Sequence, residues 1–395
     1  PVQFRVADFN DERATPLSPE KWSEVPLSGF RVNGPLNTNV QADEIVVFQG
    51  ASYFRALGKG HRYGISARGL AIRTASPKGE EFPAFRQFWV VRPPAEAKAF
   101  VIYALLDGES AAGAFKFVIT PGEETITDVT AFLVPRRDLE EIGIAPLTSM
   151  YLLSPSQPHR VVDFRPRVHD SEGLAMLNAA GERLWRPLTN PHTLQVSVFV
   201  DKAPRGFGLI QRHRHYGDYQ DLEAHYELRP TAWVEPVSGF GSGGVTLVEI
   251  PVDKEIHDNI VAFWRPDARM PKGEEREFRY RVRWRDEVPT RAAGPWVVQT
   301  RVGRDANSGE DALRFVVDYA AKTPIGEQAV PQAEIAATHG EIKGLNVQPI
   351  PDTGGVRVGF LFVPGDASVA DIRMKLGDWA GGTPETWIYR WSAKP

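Results

Sequence analysis

Short runs of β-branched and aromatic residues recur along the chain, and each run ends at a turn signal. Such runs predict strands, because branched and aromatic side chains pack well on a pleated sheet. Asp107-Gly108 and Pro121-Gly122 are two of the turn signals, since Gly supplies a positive φ and Pro fixes the bend. The pattern predicts an antiparallel meander. Its predicted strands are Glu44–Gln49, Tyr63–Arg73, Phe88–Arg92, Phe100–Leu106, Phe115–Thr120, Leu194–Val200, Gly206–Arg212, Val245–Ile250, Ile260–Trp264 and Phe278–Trp284.

The segment Tyr63–Ala71 alternates along its length. Its odd positions are Tyr, Ile, Ala, Gly and Ala, whereas Ser66 and Arg68 fall on the opposite side. Because successive side chains of a strand point to opposite faces, this alternation predicts a sheet with one buried face. Only Arg136–Gly143 has the pattern of a short helix.

The stretch Arg285–Pro295 has no apolar period and is rich in charged residues, Gly and Pro. We therefore predict a linker at residues 286–296, between a large β-sandwich domain of residues 1–285 and a second domain of residues 297–395. The number and density of strands in the second domain favour an immunoglobulin-like sandwich. Its predicted strands are Leu313–Tyr319, Glu334–Thr338, Val356–Val363, Ile372–Leu376 and Thr386–Trp391, with a hairpin turn at Asp352–Gly355.

Composition narrows the function classes. The 395 residues include 35 Gly and 32 Pro, which favours a turn-rich β protein. The 46 basic and 50 acidic residues leave a net charge of −4, so no global field attracts nucleic acid or an anionic membrane. The absence of cysteine excludes thiol nucleophiles and thiolate metal sites. No apolar run approaches the roughly 20 residues that cross a bilayer, so we predict no membrane span.

The chain opens on Pro1, with neither an initiator Met nor the pattern of a signal peptide. We therefore expect a longer precursor from which a targeting segment has been removed.

Two His-Asp pairs, His169-Asp170 and His257-Asp258, are candidates for chemistry. A zinc or iron site needs further ligands at a compatible spacing, and without a defined third ligand we predict no metal. Both aspartates could equally cap turns. Glycoside cleavage requires one carboxyl group to protonate the leaving oxygen and another to activate water. The sequence has many acidic residues, and spacing alone identifies no unique pair.

Aromatic and guanidinium groups occur together in several segments, as sugar recognition requires. These segments are Tyr53–Arg55, Phe85–Trp89, Trp185–Pro187 and Gln211–Tyr216. The last one also suits single-stranded nucleic acid. Acidic residues follow it directly, beginning with Asp218, so we predict no nucleic-acid partner. Any one of these aromatic residues could instead fill the core. The motifs of serine hydrolases, nucleotide-binding loops and zinc proteases are not found.

Several stretches resemble the osmoregulated periplasmic glucan biosynthesis proteins G and D. In order and spacing the resemblance covers roughly Asp43 to Thr300, and it is weaker after that. The stretches are Gly50–Arg55, Tyr63–Ala71, Gly79–Pro83, Ala145–Met150, His169–Leu174, Trp185–Leu188, Gly206–Leu209, Asp221–Glu223, Arg229–Trp233 and Asp258–Ala262.

The resemblance implies an all-β fold, with a large galactose-mutarotase-like β-sandwich followed by an immunoglobulin-like one. It implies a periplasmic, endo-acting, inverting glycoside hydrolase on β-1,2-glucan that needs no cofactor. The family's general acid falls on Asp258 and its general base on Asp170, which acts through relayed hydroxyl groups and water. Tyr226 also lies at a family-like position, where it contacts substrate or joins the relay.

Further residues are expected to act around these two carboxyl groups. The groove candidates are Tyr53, Arg55, Arg68, Trp89, Arg186 and Trp233. Glu255 is a candidate neighbour that would raise the pKa of Asp258, whereas a charged His257 would lower it.

Two other functions stay open. A cyclising transglycosylase would use the same acid and release closed rings, while a non-catalytic scaffold would only bind glucan. The resemblance also implies a possible homodimer. Family members have a stretch of the β domain before the point where this chain begins, so we expect that its amino-terminal part is missing.

Overall fold

The computed structural model describes residues 28–38, 40–158, 161–287, 294–306, 311–326 and 330–394, which fold almost entirely as β-strands. The strands of the first sheet are β1 Gly29–Gly34, β2 Asp43–Gln49, β3 Tyr53–Ala56, β4 Ser66–Arg68, β5 Ala71–Ile72, β10 Ile142–Ser149, β15 Gln195–Lys202, β18 Ser242–Glu249 and β19 Ile260–Pro266. They pair in the order β1-β2-β3-β4-β10-β19-β18-β15, and β5 pairs with β10.

The second sheet is larger. Its strands are β6 Ala84–Val91, β7 Phe100–Asp107, β8 Ala111–Thr120, β9 Thr125–Pro135, β13 Gly173–Leu177, β14 Arg183–Pro187, β16 Gly206–Ile210, β17 Thr231–Ser238, β20 Arg276–Arg285, β23 Ala333–Ala337, β26 Val369–Leu376 and β27 Thr386–Ser392. They pair in the order β23-β26-β27-β14-β13-β16-β17-β20-β9-β8-β7-β6.

Smaller elements complete the described chain. Two strands, β11 Tyr151–Leu153 and β12 Val168–His169, pair with each other. A four-stranded sheet consists of β21 Trp296–Arg304, β22 Leu313–Ala320, β25 Gly355–Val363 and β24 Glu341–Ile350. Helix α1 spans Tyr216–Tyr219, and a 3-10 turn spans Tyr226–Leu228. Across the described ranges, no helix has the length and apolar character needed to cross a bilayer.

The main core lies between the first and second sheets. Alternate residues of each strand point inward, so Phe48 and Phe54 of the first sheet each contact Phe117 of the second at a ring-centroid distance of 5.1 Å. Trp284 of β20 lies 6.4 Å from Phe54. Edge-to-face aromatic contacts of this kind bury much apolar surface and hold the two sheets face to face.

A second core lies beneath the carboxy-terminal strands. Trp185 and Trp233 on the outer face of the second sheet share it with Phe315, Phe360 and Trp387. Strand β27 pairs in parallel with β14, so the second sheet continues from the first part of the chain into the last. The strands β21 to β27 form a sandwich of two sheets, the arrangement expected of an immunoglobulin-like fold.

The all-β class is confirmed, and so is the hairpin turn between β24 and β25. The division into domains stays a prediction, and residues 288–293 of the predicted linker lie outside the described residues.

The predicted helix Arg136–Gly143 is wrong. Leu139 exchanges both backbone hydrogen bonds with Met270, and strand β10 already begins at Ile142. Asp138 accepts a hydrogen bond from the backbone N–H of Lys272. The backbone groups that a helix would satisfy internally are therefore taken up by a neighbouring segment.

The predicted strand Tyr63–Arg73 is shorter than expected, since only Ser66–Arg68 and Ala71–Ile72 are strands. The prediction of one buried face is also wrong there. Ser66 and Arg68 point away from the main core and are nevertheless buried. The first sheet is covered at this point on both faces, and its outer face carries the candidate site.

Candidate functional site

The site is built around the backbone where strand β10 passes into β11. The N–H of Asp170 donates to the carbonyl oxygen of Met150 at 2.8 Å, and the N–H of Asn259 donates to that of Ser149 at 3.0 Å. Asp258 directly precedes Asn259. Two aspartates that are distant in sequence are therefore attached to one short segment.

Asp258 is the more open of the two aspartates, with 42% of its side chain exposed. Arg55 lies beside it, with Nη2 at 4.0 Å from Oδ2. Burial raises the pKa of Asp258, and the charges of Arg55 and Arg229 partly oppose that increase. The net result favours a carboxyl group that keeps its proton to higher pH than an exposed aspartate.

Asp170 is buried, and its Oδ1 accepts a hydrogen bond from Nη1 of Arg229. The pKa of Asp170 lies above its ordinary value, because burial raises it more than the charges of Arg229 and Arg55 lower it, and the charge of Asp258 raises it further. Because Asp258 contributes only when it is ionised, Asp170 loses its proton more easily while Asp258 keeps its own.

Arg229 connects several parts of the site. Its guanidinium lies over the ring of Tyr226 at 4.3 Å, and its Nη2 donates to the carbonyl oxygen of Ala224 at 3.2 Å. Gly64 makes room for it, because a Cβ added there would lie 2.9 Å from Cβ and 3.1 Å from Cδ of Arg229. Sequence reasoning missed Arg229 as a site residue. Its signal was its place in the family-like stretch Arg229–Trp233, three positions after Tyr226.

Glu255 has a different neighbour from the one expected. Its Oε2 accepts a hydrogen bond from the hydroxyl of Tyr226 at 3.3 Å and forms an ion pair with Nη1 of Arg165 at 2.9 Å. The groups that shift the pKa of Asp258 are burial, Arg55 and Arg229, and neither Glu255 nor His257 is among them. Arg165 is a second site residue that sequence reasoning missed.

The outer face of the first sheet forms a polar wall next to Asp258. Tyr53 lies opposite Arg68 on paired strands, and the guanidinium of Arg68 lies 5.1 Å from the ring centroid of Tyr53. Nε of Arg55 donates to Oγ of Ser66 at 2.5 Å. Burial raises the pKa of Tyr53, and the charge of Asp258 adds to that increase. Tyr53, Arg55 and Arg68 therefore gather where the sequence expected groove residues.

Three predicted groove residues lie elsewhere. Trp89 is 52% exposed on the outer face of the second sheet, opposite Tyr103 of the neighbouring strand. Arg186 is buried in an ion pair with Glu249 at 2.8 Å. Trp233 is buried in the carboxy-terminal core. These positions give them packing or surface contacts away from Asp258.

His169 of the first His-Asp pair is buried, and its ring makes packing and hydrogen-bond contacts within the protein. Burial lowers its pKa to about 3. Its ring stacks on Tyr151 at 5.5 Å, and Nδ1 lies 2.9 Å from Oε1 of Gln211, to which it donates. Among the described residues, no group of three or more metal-ligating side chains is close enough to hold an ion.

The arrangement suits acid–base chemistry on a neutral substrate. Asp258 is partly exposed beside Arg55, whereas Asp170 is buried and bonded to Arg229. Two carboxyl groups whose surroundings differ in this way can divide the roles of acid and base.

Comparison with known proteins gives a consistent result. A family model described as "Periplasmic glucan biosynthesis protein, MdoG" matches residues 1–391. Glucans biosynthesis protein G of Shewanella sp. (strain MR-7) is 49% identical over 370 residues, which cover 93% of this chain and 68% of that protein. The protein of the same name from Vibrio cholerae serotype O1 has the same identity and coverage. The one from Shewanella baltica is 48% identical over the same length.

Proposed function

This chain belongs to the periplasmic glucan biosynthesis family MdoG, and we propose that it cleaves β-1,2-glucan internally as an inverting glycoside hydrolase. A role in periplasmic glucan biosynthesis follows from the family, with glucan as the partner. The linkage and the reaction type are the proposal. They rest on the resemblance and on the two carboxyl groups, with Asp258 as the acid and Asp170 as the base.

The observation that carries the proposal is the shared environment of Asp170 and Asp258. Asp170 and Asn259, the neighbour of Asp258, both bond to the backbone at the junction of β10 and β11, and the charges of Arg55 and Arg229 act on both carboxyl groups. A carboxyl pair in one electrostatic environment is what an inverting mechanism needs, because proton donation and proton removal must occur at one linkage.

Asp258 acts on the leaving group. It gives its proton to the glycosidic oxygen as the bond from C1 to that oxygen breaks, so the departing sugar leaves with a neutral hydroxyl group. The direction of the Asp258 pKa supports this role, since a raised pKa favours the protonated form that a general acid needs.

Asp170 acts on the water. As the water oxygen bonds to C1 from the face opposite the leaving group, its proton passes to Asp170, directly or through intervening hydroxyl groups. The hydrogen bond from Arg229 favours the ionised form that can accept this proton. After the reaction Asp170 holds a proton and Asp258 has lost one, and exchange with solvent restores both.

The polar wall supports binding of a neutral sugar chain. Tyr53 and Arg55 offer an aromatic ring and a guanidinium group, while the buried Arg68 packs against Tyr53 with its charge matched by Glu80 at 2.8 Å. An aromatic ring and a guanidinium donor side by side suit the hydroxyl-rich surface of a neutral sugar.

The test is incubation with linear β-1,2-glucan, followed by measurement of product size, new reducing ends and the anomer first released. We expect shortened chains with an inverted anomeric centre. Asp258→Asn and Asp170→Asn should each lower kcat by roughly 10²-fold or more, because each removes a proton-transfer group. Asp128→Asn is the matched control, since Asp128 pairs with Arg281 on the outer face of the second sheet.

Other products would contradict the proposal. Closed rings without new reducing ends would indicate a cyclising transglycosylase. Unchanged glucan with wild-type protein, together with binding that survives Asp258→Asn, would indicate a scaffold. The homodimer stays a prediction that solution scattering can test.

A further inference from the structure

We propose that Arg165 is a positioning residue. It fixes the segment that carries the acid Asp258 relative to the segment that carries Arg229, the arginine bonded to the base Asp170. The acid segment is residues 250–259, and the base segment is residues 220–229. The inference rests on the proposed function, because it assigns Arg165 a part in aligning the two proposed catalytic carboxyl groups.

Arg165 contacts three carboxylates from three segments. Nε and Nη2 donate to the two oxygens of Asp163 at 3.0 and 2.8 Å. Nη1 lies 2.7 Å from Oδ2 of Asp221 and 2.9 Å from Oε2 of Glu255. The Arg165 side chain is mostly buried, so solvent screens these contacts less than it screens surface pairs. The planar fork of an arginine lets one side chain serve all three partners.

On the base side, the contacts lead to Asp170 without a break. The second oxygen of Asp221, Oδ1, accepts the backbone N–H groups of Glu223 and Ala224 at 2.9 and 2.8 Å. The carbonyl oxygen of Ala224 accepts Nη2 of Arg229, which in turn donates to Asp170. Arg165 therefore stabilises the turn that aims Arg229.

On the acid side, Glu255 lies three residues before Asp258. The N–H of Ile250 donates to the carbonyl oxygen of Asn259 at 2.9 Å, so the acid segment is closed at its ends. Between those ends Glu255 binds Arg165, and it also accepts the hydroxyl of Tyr226 from the base segment. The acid segment and the base segment thus meet at the carboxylate of Glu255 and the guanidinium of Arg165.

Apolar packing holds the tips of these segments only weakly. Next to the three acidic partners, Phe164, Leu222 and Ile256 are 80%, 70% and 77% exposed. Segments whose large side chains point into solvent open easily unless polar contacts restrain them. The contacts of Arg165 are therefore a polar restraint next to these exposed tips.

The experiment combines kinetics with hydrogen exchange on full-length protein without substrate. In Arg165→Met we expect faster exchange in both residues 220–229 and residues 250–259. On linear β-1,2-glucan we expect kcat to fall roughly 10²-fold, as a displacement of about 1 Å can cause, with a smaller change in KM. Arg165→Lys should be intermediate, because a single ammonium group cannot span three carboxylates. Added guanidinium ion at low millimolar concentration should restore part of the activity of Arg165→Met.

Arg357→Met is the matched control. Arg357 also makes a two-point contact with an aspartate, Asp318, at 2.7 and 2.8 Å, but in the carboxy-terminal four-stranded sheet. In Arg357→Met, hydrogen exchange in residues 220–229 and 250–259 and the value of kcat should equal those of wild type. If Arg165→Met does not fold, Arg165→Lys carries the same measurements.

The outcomes separate the two proposals. If wild type cleaves no glucan, the proposed function fails, and unchanged exchange in Arg165→Met would then refute the positioning role as well. If wild type is active, an unchanged kcat or faster exchange in only one of the two segments overturns the inference. Faster exchange in both segments with a lowered kcat supports it.

Discussion

Two arginines determine the charge environment of the proposed catalytic carboxyl groups. Arg229 bonds directly to Asp170, whereas Arg55 stands 4.0 Å from Asp258 without a hydrogen bond between them. The difference matters because a close donor favours the ionised carboxylate more strongly than a distant charge does. Burial raises the pKa of both carboxyl groups, and the direct bond from Arg229 opposes that increase at Asp170, which supports Asp170 as the base and Asp258 as the acid.

Arg55→Met should move the alkaline side of the pH profile. The charge of Arg55 lowers the pKa of Asp258, so removing it raises that pKa further. Asp258 would then stay protonated, and active as an acid, to higher pH. We expect the descending limb of kcat/KM on β-1,2-glucan to shift toward higher pH, measured over the full pH range of activity.

The control for Arg55→Met is Arg279→Met. It also removes one positive charge, but from a pair with Glu277 on the outer face of the second sheet. Its profile should match that of wild type. A descending limb that stays in place or moves to lower pH in Arg55→Met would refute the assignment of Asp258 as the acid.

Sequence reasoning identified Asp170, Asp258 and Tyr226 through the stretches that resemble a family, and the structure gathers them with Arg229. It failed for Trp89 and Trp233 for a physical reason. Aromatic residues in strands occur equally well in a core, on an outer face or in a groove. The alternation of a strand does not reveal which sheet the strand joins or what covers each of its faces. Only the strand order resolves this, and long-range pairing determines that order.

Gly64 lies in a loop that supports the site. It lies just before β4, and the N–H of the nearby Arg62 donates to the carbonyl oxygen of Leu228 at 3.0 Å. The segment is thus tied to the turn that ends in Arg229. The missing side chain of Gly64 leaves the space that the stem of Arg229 fills.

Gly64→Ala should therefore reduce activity by displacing Arg229. The new Cβ would lie 2.9 Å from Cβ of Arg229, a distance at which the neighbour must shift. We expect kcat on β-1,2-glucan to fall roughly 10-fold to 10²-fold, since small displacements at a catalytic group are costly. Kinetics together with a thermal unfolding curve would measure the effect on activity and on folding separately.

Gly303→Ala on β21 provides the comparison for Gly64→Ala, because a Cβ there meets nothing within 4 Å. It should change neither kcat nor the unfolding temperature. Normal kcat in Gly64→Ala would mean that Arg229 tolerates the displacement and does not orient Asp170.

Element boundaries were predicted well where the apolar alternation was long. Strands β7, β22 and β25 lie close to their predicted positions. The errors at Arg136–Gly143 and Tyr63–Arg73 arose where backbone groups bond to distant segments, such as Leu139 to Met270. Local propensity cannot reveal such partners, and tertiary contacts override it.

At the scale of the whole molecule, the second sheet joins the early and late parts of the chain. Trp185 of β14 pairs in register with Trp387 of β27. The sequence predicted a strand at Thr386–Trp391 but none at Arg183–Pro187, while the all-β class is confirmed. The parallel pairing could not be predicted, because no local pattern specifies which edges of two sheets meet.

A buried ion pair reinforces this junction. Nη1 and Nη2 of Arg212 each lie 2.9 Å from an oxygen of Glu385, and the guanidinium lies 3.5 Å from the ring centroid of Trp185. Glu385 also accepts the backbone N–H of Val297, where the four-stranded sheet begins. One pair thus connects β16, β14, β21 and the segment before β27.

Arg212→Met should destabilise the fold by about 3–5 kcal/mol, because it leaves the buried carboxylate of Glu385 without its partner. Met keeps an apolar contact with Trp185, so the decrease in unfolding free energy comes from the lost charge and not from lost packing. The double variant Arg212→Met/Glu385→Gln should cost less than the sum of the two single variants, with a coupling of roughly 1–3 kcal/mol. Chemical unfolding of wild type, the two single variants and the double variant gives this coupling.

Arg281→Met, which breaks a more exposed pair with Asp128, is the control and should cost less than about 1 kcal/mol of unfolding free energy. Strict additivity in the cycle would mean that Arg212 and Glu385 stabilise the junction independently of each other, which would refute the coupling.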